Sequence, residues 1–232
     1  MCNVFFCLGM DCVLVAGVDE AGRGCIIGPL VVAGVVVSYD KLSDIGVLGV
    51  KDSKLLSPKK RDLLFQEIIQ TVQDFKVIKI SPSEIDKAVN CKIPLHKLNR
   101  LEAKTMAKVI EYLSPNEVYV DAVDILEERF ATHISECLTV KPKIISRHKA
   151  DQLYPIVSAA SIIAKVERDR EIELLKNEFG DLGSGYLHDK KTVAFLGEWL
   201  KTNKDYPSCV RKSWKPAKKA LSACDTTQQK LF

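Results

Sequence analysis

The chain lacks a hydrophobic run long enough to span a membrane, which takes about 20 consecutive apolar residues. The apolar stretches at 1–18 and 30–37 are shorter or are interrupted by polar residues. No lysine or arginine precedes the first stretch, so it makes a poor secretory signal. We therefore expect a cytoplasmic protein without membrane contact, whose apolar runs are buried strands. Met10 is a second candidate initiator beside Met1, because strand-like periodicity begins only at Cys12.

The chain also lacks the cysteine and histidine spacings of zinc and dithiol sites. Its eight cysteines form no CxxC pair, and no CxxC is followed by an HxxxH motif. Structural zinc sites and thioredoxin-like redox motifs are therefore excluded. Because no secretory signal is present, we expect the cysteines to be reduced.

Neither charge nor low complexity dominates the 232 residues. The formal net charge is only +4, with 28% charged and 47% hydrophobic residues, which excludes a disordered chain and a coiled coil. This length suits one large α/β domain with a short appendage. The predicted boundaries are 10–200 for the main domain and 201–232 for a basic helical C-terminal region and tail.

Hydrophobic periodicity predicts a succession of strands and helices. The predicted strands lie at 12–18, 29–37, 76–80, 117–121 and near 144–145. Two predicted helices begin at Pro58 and just after Ser81. The other predicted helices span 97–113, 125–137, 155–179 and 190–200. In the first helix, one face carries Leu63, Leu64, Ile68 and Ile69. Ser81 and Glu84 form a capping box. The alternation after 117 predicts parallel strands joined by crossover helices.

Four carboxylates occur at the ends of three predicted strands. Asp19 and Glu20 follow the first strand, Asp121 ends the fourth and Asp151 follows the fifth. Strand ends of an α/β sheet are where ligand sites are built, so we expect these side chains to converge. Neighbouring strand residues point to opposite faces, so Asp19 and Glu20 share a site only if the strand bulges or stops there.

Converging carboxylates repel one another and need either protonation or bound metal. Oxygen-only ligands select hard cations, Mg²⁺ or Mn²⁺, and two such ions about 4 Å apart support in-line displacement at phosphorus. The four acids therefore indicate nuclease chemistry. Asp124, at a helix start, is interpreted as a helix cap, and His148 and His188 as structural histidines.

A glycine-rich connection follows the first two acids. Gly22 and Gly24 match the first two glycines of a dinucleotide-binding fingerprint, but the third position is Ile27 and a strand follows instead of a helix. We reject that interpretation. Gly22, Arg23 and Gly24, called the GRG loop below, instead let backbone groups approach a sugar, with Arg23 available for a phosphate.

Taken together, these motifs resemble type 2 ribonuclease H (ribonuclease HII) of the archaeal kind. The resemblance extends from about Val13 to Trp214, and it is carried by DEAGRG at 19–24, IGPLVVAGVV after it, KDSK at 51–54, VYVD at 118–121, HKAD at 148–151, AASIIAKVERDR at 159–170, GSGY at 183–186 and SCVRKSW at 208–214. Any one motif is modest evidence, whereas this many in the family's order is specific.

The resemblance implies an α/β, RNase H-like fold, with a mixed five-stranded sheet flanked by helices and a small helical C-terminal part. It also implies a metal-dependent endonuclease that hydrolyses RNA in RNA–DNA hybrids and cuts on the 5′ side of ribonucleotides embedded in duplex DNA. The products would carry 3′-hydroxyl and 5′-phosphate ends. Two ions, Mg²⁺ or Mn²⁺, would bind with the substrate, and the resemblance favours a monomer.

The resemblance also assigns roles to individual residues. Asp19, Glu20, Asp121 and Asp151 match the catalytic metal-binding carboxylates, and Gly22, Arg23 and Gly24 match the loop that contacts the 2′-hydroxyl. The 2′-hydroxyl alone distinguishes RNA from DNA at one nucleotide. Tyr186 matches the tyrosine that packs on the sugar beside the RNA-to-DNA junction. Lys51, Lys54 and Lys165 lie in segments that line the substrate groove.

The C-terminal region is basic. Residues 201–219 contain seven lysine or arginine residues and one aspartate, with Tyr206 and Trp214 interleaved, a pattern that fits a phosphate-backbone contact or an ordinary solvated face. The final residues QQKLF resemble the start of a sliding-clamp-binding peptide, with Gln228 and Leu231 at matching positions. We expect at most a weak clamp contact there.

Three rival functions remain from the sequence. A type 3 ribonuclease H shares much of the fold but usually has a large N-terminal domain, whereas only 18 residues precede Asp19 here. A noncatalytic RNA–DNA hybrid-binding protein would keep the groove without needing all four acids, and an activity assay excludes it. A DNA-joining or resolving nuclease on the same fold would leave the GRG loop and GSGY without an assigned role.

Overall fold

A mixed five-stranded sheet forms the centre of the computed structural model, which describes residues 12–50, 56–93 and 97–221. The strands are β1 (Leu14–Ala21), β2 (Leu30–Ser38), β3 (Asp74–Ile80), β4 (Glu117–Asp121) and β5 (Lys143–Arg147), in the sheet order β3-β2-β1-β4-β5. β1 pairs antiparallel with β2, and β2 with β3. β4 runs parallel to both β1 and β5. This is the RNase H-like sheet that the resemblance implied.

Described helices cover both faces of the sheet, and the last of them packs in a separate core with the C-terminal region. The described helices are α1 (Leu42–Val47), α2 (Pro58–Thr71), α3 (Pro82–Val89), α4 (Leu98–Leu113), α5 (Glu127–Ser135), α6 (Ala150–Leu153), α7 (Pro155–Phe179) and α8 (Lys190–Thr202). The capping box of Ser81 and Glu84 is confirmed at the start of α3. None of the described helices is long and apolar enough to cross a membrane.

The sheet separates two hydrophobic cores. One core packs the odd-numbered residues of β1 and β2 against α7, and the other packs the even-numbered residues against α4. Gly17 lets α7 approach closely, because a Cβ there would lie 2.4 Å from the carbonyl of Ile156. Gly34 does the same for α4, with a Cβ position 2.5 Å from Val109. The two glycines therefore determine how near the helices lie to the sheet.

The predicted break in the first strand is wrong. β1 continues without a bulge through Ala21, in regular register with β2. Its parallel pairing with β4 ends earlier, at Val18 opposite Val120. Asp19 therefore points to the α7 face and Glu20 to the α4 face, at the edge where β4 has ended.

Three other predictions about side chains need correction. Leu63 is 61% exposed, because the buried face of α2 is formed by Leu64, Phe65 and Ile68. Arg168 lies in the second half of α7, where the charged sequence ERDREIELLKNE predicts a solvated surface, but it is 7% exposed. Tyr206, expected on a basic surface, is buried in a third core.

The third core joins the C-terminal region to the main domain. It contains Ile26 and Ile27 from the connection after β1, Leu196 from α8, and Val210 and Ala217 from the C-terminal region. Ile27 and Val210 also form an antiparallel β-bridge. Residues 206–217 thus pack on the segment that follows the first two acids.

Candidate active site

Asp19 is a buried carboxylate with charged neighbours. It is 4% exposed, and one of its oxygens accepts a 2.7 Å hydrogen bond from the Glu20 backbone N–H. Burial, together with the nearby Asp121 carboxylate, raises the pKa of Asp19 to about 7, although a hydrogen bond from Ser161 and the charge of Lys165 oppose the rise. Asp19 therefore lies where a second negative charge is already present.

Glu20 points to the opposite face of the sheet from Asp19, and its carboxylate also lies near other negative charges. Burial, followed by the charges of Asp19, Glu102 and Asp121, raises its pKa well above the usual range, and only Arg23 opposes this. Its Oε2 atom is buried and has no hydrogen-bond partner within the described residues. A buried carboxylate oxygen without a donor is costly unless a cation or a proton compensates it.

Asp121 lies at the end of β4 and Asp151 in the first turn of α6, and the backbone of Ala150 links the two elements. Asp121 closes β4, and its Oδ1 accepts a 2.7 Å hydrogen bond from the backbone N–H of Ala150. Asp151 is the next residue, 6% exposed, in the first turn of α6. Lys149, in the left-handed conformation with φ 56°, turns the chain from β5 into that helix. The structure thus brings the charges of Asp19, Glu20 and Asp121 close enough to affect one another, and it places Asp151 next in sequence to Ala150, whose N–H binds Asp121.

The four acids suit a hard divalent cation in their chemistry. All are oxygen donors, and the raised pKa values of Asp19 and Glu20 reflect a local excess of negative charge that a cation would relieve. Among the described residues, no three acidic, histidine or cysteine side chains are already close enough to form a ready metal cage. The alternating faces of Asp19 and Glu20 are the physical reason. An ion bound there would need to draw these side chains together, or take part of its coordination from substrate.

Asp124, three residues after Asp121, has a structural role, but it is not the helix cap that was predicted. It is 3% exposed, and it accepts hydrogen bonds from the backbone of Leu126 at 3.1 Å and from the guanidinium of Arg129. The hydrogen bond from Arg129 is the main reason why the pKa of Asp124 falls to about 2. Asp124 thus closes the turn before α5, although the N-cap position itself is Leu126.

The GRG loop is held in place from the α4 side. The guanidinium of Arg23 donates to Glu102 Oε1 at 2.8 Å and to Asn99 Oδ1 at 2.9 Å, yet 41% of its side chain stays exposed. Gly22 has φ +84°, and a Cβ there would lie 2.8 Å from the Pro29 carbonyl oxygen. Glycine is therefore required at this position.

Tyr186 lies beside the GRG loop. A Cβ at the exposed Gly24 would be 4.0 Å from the Tyr186 ring. The ring packs against the guanidinium of Arg168, 4.6 Å from its centroid, and stacks on His188 at 5.3 Å. Burial and the Cys25 thiol raise the pKa of Tyr186 to about 12, so its hydroxyl stays protonated.

The predicted lysines fall into two groups. Lys165, on α7, donates a 2.8 Å hydrogen bond to Ser161 Oγ, on the same face as Asp19. Lys51 and Lys54 lie outside the described residues. Their substrate-binding roles stay predictions.

Three residues of the site were missed by reasoning from sequence. Ser161 contacts Asp19, Glu102 is a fully buried acid that pairs with Arg23, and Arg211 is fully buried against the GRG loop. The only signal for Ser161 and Arg211 was their position within AASIIAKVERDR and SCVRKSW. Glu102 gave no signal, because a lone acid on a helix usually indicates a solvated face.

The arrangement has the parts of a metal-assisted phosphodiesterase beside the GRG loop and the Tyr186 ring. The acids of β1, β4 and α6 lie at one edge of the sheet, and the GRG loop and Tyr186 continue from that edge. Ser161, the serine beside Asp19, is held between the Asp19 carboxylate and the Lys165 ammonium, so its hydroxyl positions Asp19 and does not serve as the nucleophile. An activated water is therefore the nucleophile that this site suits.

Comparison with known proteins agrees with this chemistry. The family model for Ribonuclease HII matches residues 16–217. A ribonuclease HII from Thermococcus sibiricus is 48% identical over 205 residues, covering 88% of this chain and 89% of that protein. The crystal structure of the ribonuclease H2 from Pyrococcus horikoshii OT3 matches with a TM-score of 0.84 and 42% identity, covering 92% of this chain and 99% of that one.

A second solved structure extends the comparison. A chain in the PCNA:RNase HII complex from Archaeoglobus fulgidus matches with a TM-score of 0.79 and 45% identity, covering 88% of this chain and 96% of that one. The shared sequence spans the sheet, α7, the GRG loop and most of the C-terminal region. This chain belongs to the ribonuclease HII family.

Proposed function

We propose that this enzyme hydrolyses the RNA strand of RNA–DNA hybrids and also cuts duplex DNA on the 5′ side of an embedded ribonucleotide. The observation that carries the proposal is the mutual electrostatic influence of Asp19, Glu20 and Asp121 near the point where β4 ends, with the GRG loop leading away from it. The acids support phosphodiester hydrolysis. The loop supports selection of the nucleotide that carries a 2′-hydroxyl.

Asp19, Glu20, Asp121 and Asp151 would hold two divalent ions, Mg²⁺ or Mn²⁺. When bound, such ions supply an activated water and stabilise charge on the leaving oxygen. The chain's own part is to keep the carboxylates in place. Ser161 and the Glu20 backbone N–H hold Asp19, while the Ala150 N–H holds Asp121. In-line attack would leave 3′-hydroxyl and 5′-phosphate ends.

Nucleotide selection would belong to the GRG loop and Tyr186. The exposed Gly24 leaves the backbone uncovered, and the Tyr186 ring lies against it as a flat apolar surface for a sugar. Because Arg168 and His188 pack against the ring, its position is fixed before substrate arrives. Such pre-organisation lowers the entropic cost of binding.

Lysines would supply the sequence-independent contacts to phosphates. Lys165 lies on the α7 face near Asp19, and Lys204, Lys215 and Lys219 are exposed in the C-terminal region. Lys51 and Lys54 are further candidates from the sequence. Phosphate contacts of this kind make affinity fall as the salt concentration rises.

Cleavage of a long RNA–DNA hybrid by Asp121→Asn tests the proposal. The amide cannot supply the charge that a cation requires, so we expect a rate loss of more than about a hundredfold, beyond what outer metal partners usually cost. Asp124→Asn is the matched control, three residues away on the same connection, and it should keep activity within a few-fold.

Equal activity of Asp121→Asn and wild type at saturating Mg²⁺ would remove Asp121 from the site. Absence of cleavage by the wild type, with binding retained, would favour a noncatalytic hybrid-binding protein.

Tyr186→Ala tests the sugar-packing role separately. Loss of the ring should slow cleavage at a single embedded ribonucleotide by about tenfold or more, since stacking and packing on one nucleotide contribute about 1–3 kcal/mol. Tyr186→Phe, which keeps the ring, should retain most of the rate. Unchanged cleavage by Tyr186→Ala on that substrate would contradict the assignment.

A contact with a sliding clamp is a separate proposal. One structural relative was solved as a PCNA:RNase HII complex, and the sequence QQKLF here begins like a clamp-binding peptide. That segment lies outside the described residues. Isothermal titration of a sliding clamp with the full chain and with a chain ending at Thr227 tests it, and identical heats would refute a contact through QQKLF.

A further inference from the structure

We propose that Arg211 is a positioning residue that sets the backbone of the GRG loop for recognition of the ribonucleotide. The inference rests on the proposed role of this loop in contacting the 2′-hydroxyl. It assigns to Arg211 a function different from the phosphate contact that its place in a basic segment suggests.

Arg211 holds the loop by three hydrogen bonds to main-chain carbonyls. Its guanidinium donates to the oxygens of Gly22 at 2.7 Å, Arg23 at 2.8 Å and Gly28 at 3.1 Å. The side chain is fully buried, with 0% exposure. Two of the three acceptors thus belong to the GRG loop, more than 180 positions away in the sequence.

The backbone around Arg211 makes this attachment rigid. The Arg211 N–H donates to Ile26 at 2.8 Å, and the Gly28 N–H donates to Cys209 at 2.9 Å. The indole ring of Trp214 lies 5.1 Å from the guanidinium carbon. The guanidinium is therefore held both by the C-terminal segment that contains Arg211 and by the segment at 22–28 that it contacts.

The direction of the carbonyls determines the direction of the next amides. In a planar trans peptide the C=O of one residue and the N–H of the next point in opposite directions. Because the carbonyls of Gly22 and Arg23 point inward to Arg211, the N–H groups of Arg23 and Gly24 point away from it. Neither amide donates a hydrogen bond to another part of the described chain. They are left available to a 2′-hydroxyl oxygen above Gly24.

The cost of burying this cation argues for a role beyond packing. Burial lowers the pKa of Arg211 to about 10, which reflects the loss of water around the guanidinium. Carbonyl dipoles compensate it without a directly hydrogen-bonded carboxylate, since its three acceptors are all backbone oxygens. An apolar side chain would fill the same space at lower cost but would orient no carbonyl.

Binding of two duplexes by Arg211→Lys tests the proposal. One duplex is all DNA and the other has a single ribonucleotide, and both are measured by fluorescence anisotropy in the Asp121→Asn background to prevent cutting. Lysine keeps the charge but cannot reach three carbonyls from one planar group. The preference is the affinity for the ribonucleotide duplex divided by the affinity for the all-DNA duplex. We expect this ratio to fall roughly five- to tenfold, which is the effect of one lost hydrogen bond. Affinity for the all-DNA duplex should stay unchanged.

Controls separate this role from a general loss of structure. Lys108→Met removes an exposed charge from α4, to which no role in substrate binding is assigned, and should leave the preference intact. Trp214→Leu, at a partly exposed ring, loosens the guanidinium and should lower the preference by a smaller factor. If the Asp121→Asn parent shows no preference for the ribonucleotide, the proposed role of the loop itself is refuted. A preference equal to that of the parent in Arg211→Lys, or in Trp214→Leu if Arg211→Lys does not fold, would overturn the role of Arg211.

Discussion

Two aspartates three residues apart, Asp121 and Asp124, have opposite electrostatic surroundings. Asp121 lies against the carboxylates of Asp19 and Glu20, and its charge raises the pKa of both. Asp124 has the Arg129 guanidinium as its partner, and its pKa falls to about 2. Asp121 needs a bound cation nearby to balance the carboxylate charges, whereas the guanidinium of Arg129 already provides a positive charge beside Asp124. This contrast separates the proposed active-site acid from the structural one.

The low pKa of Asp124 predicts a pH-dependent contribution to stability. A carboxyl whose pKa is lower in the folded state stabilises the fold above its unfolded pKa, and the contribution is lost as the pH falls toward the folded pKa. Asp124→Asn should therefore lower the free energy of unfolding by about 1 kcal/mol near neutral pH, allowing for the exposure of Arg129, and by little near pH 2. Urea unfolding of both proteins across this range measures the difference. A difference that stays constant from pH 7 to pH 2 would contradict the pairing.

At the scale of residues, the sequence predicts types of chemistry better than contacts. Asp19, Glu20, Asp121 and Asp151 could be selected because acids at strand ends are unusual. Arg211 could not be interpreted, because its neighbours in sequence are basic and exposed while its partners are the carbonyls of Gly22 and Arg23. Contacts over that sequence distance depend on tertiary packing.

At the scale of elements, the contact between α7 and β1 aligns the site. α7 carries Ser161 and Lys165, which act on Asp19, and Gly17 allows its backbone to reach the strand. Any displacement of α7 would move Ser161 away from Asp19. The same contact therefore serves both the core and the active site.

Gly17→Ala tests this dependence. The new Cβ would lie 2.4 Å from the backbone of Ile156, so the helix must shift. We expect the free energy of unfolding to fall by about 2–3 kcal/mol, a typical cost of overpacking, and hybrid cleavage to slow by at least about tenfold. Denaturant unfolding and initial rates measure the two effects.

Gly197→Ala, in the interior of α8, is the matched control. Nothing lies within 4 Å of its Cβ position. Alanine there should raise stability by about 1 kcal/mol through helix propensity and leave the rate unchanged. A Gly17→Ala protein with wild-type stability and rate would show that α7 does not need its close approach.

Most elements could be predicted from periodicity, and their errors have physical causes. The strand at 117–121 and the helix at 155–179 were predicted with the bounds that the structure has. The first strand was predicted to end at Val18, because two acids and a glycine loop usually indicate a loop. It continues to Ala21 because β2 supplies hydrogen bonds after β4 has ended.

At the scale of the whole molecule, three cores hold the site between them. Two lie on the faces of the sheet, and the third joins α8 and the C-terminal region to the segment after β1. The acids lie among these cores, where burial keeps their negative charges poorly solvated. The fold thus stores electrostatic repulsion that a bound cation would relieve.

Thermal unfolding with and without Mg²⁺ tests whether a bound cation relieves this electrostatic repulsion, and the measurement does not depend on enzymatic activity. A ligand that binds only the folded state raises its stability, and here we expect a rise of several degrees at about pH 8. The rise should shrink at about pH 5, because protons then compete for Asp19, whose pKa is about 7. Asp121→Asn should lose most of the effect and Asp124→Asn should keep it. An equal rise in all three proteins would indicate that Mg²⁺ acts elsewhere.

The central claim is that one site combines phosphodiester hydrolysis with recognition of a single ribonucleotide. The most direct test uses end-labelled duplex DNA containing one ribonucleotide, with Mg²⁺, with Mn²⁺ or with chelator, and maps the cut at nucleotide resolution. The account predicts metal-dependent cleavage on the 5′ side of the ribonucleotide, leaving a 3′-hydroxyl. Cleavage of long hybrids alone would contradict the role of the GRG loop, and no cleavage of either substrate would contradict the proposed activity.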